Sequence, residues 1–171
     1  MPSWYVLTHN SAVLKSLTVL IQRLGVEVFS PSRTTSRKRK DRPSCIETQT
    51  ALFPGYLLLR FDPEVIHTTD VTALSGAHGF VQFGGRTYVL QDSIVDALKA
   101  APLLRSDRAL DCIEYRNLPS DLEKTIRFIV DMKSDAARKA AFLALMAEGA
   151  AVERLISRRP DALCYSRLHI V

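Results

Sequence analysis

Glycine is divided unevenly along this chain, and the division limits the folds open to it. Six of the seven glycines lie before residue 86, and Gly149 is the seventh. Tight turns between strands demand positive φ angles that side chains resist, so they draw on glycine. A turn-rich sheet therefore belongs in the first half. The second half carries eight alanines between Ala136 and Ala151. Alanine is the strongest helix former, so that half favours helix.

The first half reads as alternating strands and helices. Ser3 to Thr8 is rich in aromatic and β-branched residues and predicts a strand. Asn10 or Ser11 can cap the helix that follows. Leu14, Leu17, Ile21 and Leu24 recur at helical spacing, and Gly25 supplies the stop. Val26 to Phe29 is a short strand ended by Pro31. Leu52-Phe53-Pro54-Gly55 reads as a turn, leading into a buried strand from Tyr56 to Phe61 that Asp62-Pro63 closes. Phe80 to Phe83, Gly84-Gly85, and Arg86 to Val89 predict a two-residue hairpin, with Phe83 facing Arg86 and Val81 facing Tyr88. Asp92 can cap a helix running through Lys99. This order implies an α/β or α+β sandwich with a mixed, mainly antiparallel sheet, over residues 1–100.

Residues 101–112, with Pro102 and mixed charges, read as a linker to a second domain over 113–171. Ser120-Asp121-Leu122-Glu123 matches a capping box, and Leu122, Ile126, Ile129 and Val130 follow at helical spacing. Ser134 can cap a second helix through Ile156, with Pro160 enforcing a stop. Two helices with a short connection predict an α-helical hairpin. The same residues carry a rival pattern. Ile126, Phe128, Val130 and Met132 alternate with period two, as a half-buried strand would.

Charge is concentrated. Arg33, Arg37, Lys38, Arg39, Lys40 and Arg42, offset by Asp41, hold a net charge equal to the +5 of the whole chain. Read as a basic loop, this segment attracts phosphate or an acidic surface; read blandly, it is a solvated loop that aids solubility. The three cysteines are widely spaced, which argues against a disulfide framework, for a reducing compartment, and against a zinc site. No apolar run nears the ~18–20 residues of a membrane span, and Met1-Pro2-Ser3-Trp4-Tyr5 lacks the basic region and apolar stretch of a signal peptide, so none is expected. The four histidines show no metal-ligand spacing, and there is no phosphate loop, nucleophile elbow or HExxH. A cytoplasmic, monomeric binding module without cofactor or membrane contact is expected, and not an enzyme.

Three segments carry a family resemblance: Ser3-Trp4-Tyr5-Val6-Leu7, Leu52-Phe53-Pro54-Gly55-Tyr56-Leu57 and Phe80-Val81-Gln82-Phe83-Gly84. They resemble the N-terminal (NGN) domain of NusG-family transcription factors. Phe61-Asp62-Pro63-Glu64-Val65-Ile66-His67-Thr68-Thr69 is similar to the RfaH branch of that family. The likeness extends more loosely through Phe128, Asp135, Arg138 and Leu143.

The resemblance implies an elongation and antitermination factor that suppresses pausing by holding the RNA polymerase clamp closed. Phe53, Tyr56, Leu58 and Phe83 match positions that grip the β′ clamp helices. For Leu58 and Phe83 an ordinary core role stays equally open, because a strand has two faces. His67, Thr68 and Thr69 match a motif that meets the β gate loop; by themselves they read as a helix-capping turn. RfaH reads a flipped-out base of the non-template DNA strand, but here Asn10, Ser16, Leu20, Leu24, Leu74 and Ser75 stand at those positions and only Arg23 is retained. The basic segment offers sequence-independent affinity instead.

For the second domain, the resemblance implies a resting helical hairpin over the β′ site, with a KOW-like β-barrel as an alternative state and the ribosome as a further contact. Ile126, Ile129, Val130, Phe142 and Leu145 are the candidate packing residues. Arg138 matches one half of the family's interdomain ion pair. Thr50 stands at the acidic position, with Glu47 as a substitute. The alternative function is a basic nucleic-acid-binding regulator of the same fold that does not touch polymerase.

Overall fold

Strand β1 (Ser3–His9) is buried on both faces, with Tyr5 and Leu7 on one side and Trp4 and Val6 on the other. A central strand flanked by two cores requires this apolar run. The computed structural model describes residues 1–38, 45–100 and 120–158. After β1, the Asn10 side chain accepts the Ala12 N–H at 3.0 Å and opens a short 3-10 turn. Helix α1 (Leu14–Arg23) follows, burying Leu17 and Ile21, and closes through Gly25 at φ 82°.

The expected βαβ unit is present but split. Strand β2 (Glu27–Phe29) does not pair with β1; β5 (Tyr56–Phe61) lies between them, antiparallel to both. The sheet order is β2-β5-β1-β6, with β6 (Ala77–Phe80) beside β1 and β9 (Val89–Leu90) also pairing β1. The sheet is antiparallel as expected, and the parallel pairing that a mixed sheet implies does not occur among the described strands. The insertion of β5 is the cause, since it separates the two strands that run in the same direction.

The segment read as a basic loop is corrected by the structure. Strands β3 (Ser32–Lys38) and β4 (Cys45–Ala51) form a long antiparallel ribbon, from Ser32 opposite Ala51 to Lys38 opposite Cys45. Thr34, Thr35, Thr48 and Thr50 supply the β-branched residues that favour extended chain. Arg39 through Ser44 lie outside the described residues, as do the expected linker 101–112 and the residues after 158.

The glycine turn forms as read. Gly84 and Gly85 take φ 61° and 76°, joining β7 (Gln82–Phe83) to β8 (Arg86–Thr87) with Phe83 opposite Arg86. Tyr88 N–H donates to the Val81 carbonyl at 3.0 Å, continuing the register. Helix α2 (Thr68–Thr72) precedes β6, and α3 (Asp92–Ala100) follows β9.

The described part of the second half, residues 120–158, is helical. Helices α4 (Ser120–Asp131) and α5 (Asp135–Arg158) are joined by a three-residue turn, with Ser134 Oγ accepting the Ala137 N–H. Each face of the sheet has its own core. On one, α1 and Val71 of α2 pack on Tyr5, Leu7, Leu57, Leu59 and Phe61. On the other, α3, α4 and α5 pack on Trp4, Val6, Leu58 and Leu90.

Candidate functional site: a sheet face covered by a helical hairpin

The turn between β4 and β5 sets the site. Leu52 N–H donates to the Pro31 carbonyl at 2.7 Å, and Tyr56 N–H to the Phe53 carbonyl at 3.0 Å. Gly55 takes φ 89°, a conformation that side chains resist. This turn places the Phe53 ring on the sheet face that Leu58 shares. Both Phe53 and Leu58 are buried, while Tyr56 and Phe83 are half-buried against the same core. Phe83 meets Tyr88 edge-on, with centroids 5.4 Å apart.

The hairpin fills the space above them. Phe142 of α5 stacks on Phe53 with ring centroids 4.3 Å apart and an interplanar angle of 10°. Phe53 is 1% exposed and Phe142 0%. Along α5, Arg138, Phe142, Met146 and Ala150 recur every four residues, and all are buried. That spacing puts them in one stripe facing the sheet. Ile126, Ile129 and Val130 of α4 bury beside them, and Leu145 packs partly buried against the same core. Phe128 points away and is 68% exposed. Gly149 brings α5 close to the strands, because a Cβ there would lie 2.8 Å from Tyr88 Oη. The lone glycine of the second half thus serves close packing of a helix.

Arg138 fastens the hairpin through backbone acceptors. Its side chain is 1% exposed. Nε donates to the Leu52 carbonyl at 2.9 Å, across to the turn that carries Phe53. One terminal nitrogen donates to the carbonyls of Met132 at 2.6 Å and Lys133 at 3.2 Å. The other meets the Asp135 carboxylate. A buried guanidinium needs this degree of satisfaction, since an unpaired buried charge is costly. The side chain of Glu47, the expected acidic partner, lies outside the described residues; Asp135 is a carboxylate that its sequence position does not single out for this role. The Leu52 and Met132 carbonyls were also missed, because backbone acceptors leave no signature in residue type.

The remaining candidates lie elsewhere. His67 heads α2, and its Nδ1 accepts the Thr69 N–H at 3.4 Å and lies 2.6 Å from Thr69 Oγ1. This is the helix-capping turn that the three residues suggest by themselves. His67 and Thr69 remain exposed. Their helix packs on the opposite core from Phe53, so the two candidate polymerase contacts belong to different faces. Arg23 is exposed at the end of α1. Arg33 is half-buried and donates to the Met132 carbonyl at 3.4 Å. Arg37 and Lys38 lie on β3, whereas Arg39, Lys40 and Arg42 lie outside the described residues. Among the described residues no group of acidic, histidine or cysteine side chains could hold a metal ion, and no helix is long and apolar enough to cross a membrane.

Comparison with known proteins finds likenesses to solved structures and to a family model. A solved structure of Thermotoga maritima NusG, titled "Domain interaction in Thermotoga maritima NusG", matches with 19% identity and a TM-score of 0.43. The match covers 62% of this chain and 60% of that one, so the chain spans less than two thirds of that relative's length. The family model described as "Transcription termination factor nusG" matches residues 2–99, more than half of the 171. By that match, the chain belongs to the NusG family of transcription factors.

Proposed function

We propose that this protein is a specialised elongation factor of the RfaH type, binding RNA polymerase through the sheet face that α4 and α5 cover. The observation that carries this reading is the stack of Phe142 on Phe53. A ring sealed inside its own molecule is unavailable to a partner, so the covered form is a resting form. On release, Phe53, Tyr56, Leu58 and Phe83 offer an apolar surface to the helical β′ clamp, each Phe-sized group contributing ~1.5–3 kcal/mol when buried. The turn at His67, Thr68 and Thr69, exposed at His67 and Thr69, offers polar groups to the β gate loop.

Bridging β′ and β favours the closed clamp over the open states that lead to pausing and termination. Only tighter binding to the closed state is required. The protein acts by binding and not as an enzyme, with residues 1–100 holding polymerase and 113–171 controlling access. The basic ribbon adds contact with the non-template strand that does not read sequence. Refolding of the second domain to a KOW-like barrel, with a ribosome contact, is compatible with the alternation of Ile126, Phe128, Val130 and Met132; it requires two packings within a few kcal/mol.

The ribbon also favours the second reading, a nucleic-acid-binding regulator that does not touch polymerase. Capture by core polymerase separates the two. Wild type, Tyr56→Ala and a variant neutralised at Arg37, Lys38, Arg39 and Lys40 are compared with and without DNA. Loss of capture in Tyr56→Ala supports polymerase binding. Loss only in the neutralised variant, and only with DNA present, establishes the second reading.

A further inference from the structure

The basic ribbon and the helical hairpin share a residue. Arg33 is the first arginine of the cationic run and stands at the root of the ribbon, opposite Thr50. Its guanidinium does not point freely into solvent. It is half-buried and donates to the Met132 carbonyl, just beyond the last residue of α4. The C-terminal end of a helix carries negative partial charge on its unsatisfied carbonyls, and a cation there stabilises it. Arg33 therefore acts as a side-chain contact from the sheet half to the α4 terminus. β4 continues from this root directly into Leu52, whose carbonyl receives Arg138. Both tethers of the α4–α5 turn thus reach the same short stretch of the sheet half.

We infer that a nucleic-acid strand lying along the β3–β4 ribbon competes with the hairpin for Arg33, so that backbone binding loosens the cover over the Phe53 face. The competition is unequal. The Arg33 bond to Met132 is long, at 3.4 Å, and its acceptor is neutral. A phosphate oxygen is charged, accepts at shorter range, and with its neighbour can take two parallel N–H bonds from one guanidinium. The Met132 carbonyl keeps its 2.6 Å bond from Arg138 when Arg33 turns away, so the exchange leaves no orphaned acceptor. Arg37 and Lys38 stand further along the same strand, and their charge attracts phosphate to the ribbon. By linkage, a strand that draws Arg33 off the hairpin must bind the uncovered form more tightly, by the same factor. The inference rests on the covered form and the ribbon contact proposed above, but it uses backbone contact alone and needs no polymerase.

The test is amide hydrogen exchange on α4 and α5 in the full chain, with and without a dT oligonucleotide, a DNA duplex, or inorganic phosphate. Loss of one cation at a helix terminus is expected to speed exchange about two- to five-fold. In wild type, either DNA should produce this acceleration, and inorganic phosphate a smaller one. In Arg33→Gln, exchange should be accelerated without DNA, and DNA should add nothing. Arg33→Lys, which keeps the charge, should restore part of the response. The variant Arg37→Gln with Lys38→Gln keeps Arg33 and should need more DNA for the same acceleration. DNA binding that leaves α4 and α5 exchange unchanged overturns the inference. So does an Arg33→Gln protein that responds to DNA as wild type does. Polymerase capture in the same variants reports separately on the proposed function.

Discussion

The rings of Phe53 and Phe142 lie nearly parallel, 4.3 Å apart, one from the turn before β5 and one from the middle of α5. They are distant in sequence, and their stack is the centre of the contact between sheet and hairpin. It joins the two halves of the chain into one core that also holds the single tryptophan, Trp4.

Truncating that contact should uncover the sheet. Phe142→Ala removes a fully buried ring, a change that costs ~3–5 kcal/mol in a well-packed core. The expected outcome is release of α4 and α5 while β1, β5 and α1 stay folded, since the other core does not use Phe142. Exchange protection lost only from 120–158, with altered Trp4 fluorescence, would show this. Uniform loss of protection would mean that the sheet depends on its cover.

Arg138→Met should weaken docking by ~1–3 kcal/mol, because the Leu52 carbonyl loses its described donor inside the protein. Arg138→Lys should not restore it. One ammonium cannot reproduce a planar fork that reaches Leu52, Met132 and Asp135 together. Denaturation midpoints of the three proteins give the comparison.

Gly149→Ala should have opposite signs in two contexts. In an isolated 110–171 fragment, alanine gains about 1 kcal/mol of helix propensity. In the full chain its Cβ meets Tyr88 Oη at 2.8 Å, and such overpacking costs ~1–3 kcal/mol. Adding Tyr88→Phe removes the opposing oxygen and should turn the substitution stabilising. Circular dichroism of the fragment and exchange in the full chain together read the cycle.

Binding of DNA should weaken steeply with salt. Each phosphate contact contributes a slope of about 0.7 to 0.9 in log affinity against log salt. Neutralising Arg37, Lys38, Arg39 and Lys40 should flatten that slope. Equal slopes in the two proteins would remove the ribbon from DNA contact.

Much of the sheet half was legible because its signals are local. Leu14, Leu17 and Ile21 announce a helix by spacing, and Gly84-Gly85 announce a turn by the φ angles they permit. The α4–α5 pair was legible from caps and alanine content. The β3–β4 ribbon was not, because its charges read as loop and hid the threonines among them. The split of β1 from β2 was also hidden, since strand order depends on where β5 inserts. Whether Leu58 faced a core or a partner could not be read, because two-fold alternation does not name the face that is covered. The anchoring of Arg138 on the Leu52 carbonyl had no sequence signal at all.

The affinity of core RNA polymerase for the full chain against Phe142→Asp tests the central claim most directly. A charge placed on the Phe53 ring should free the sheet face and raise polymerase affinity by about ten-fold or more, because the competent form no longer has to be drawn from a covered one. Adding Tyr56→Ala should abolish the gain. Equal affinity for wild type and Phe142→Asp, with the hairpin shown by exchange to be released, would contradict the claim that the covered face is where polymerase binds.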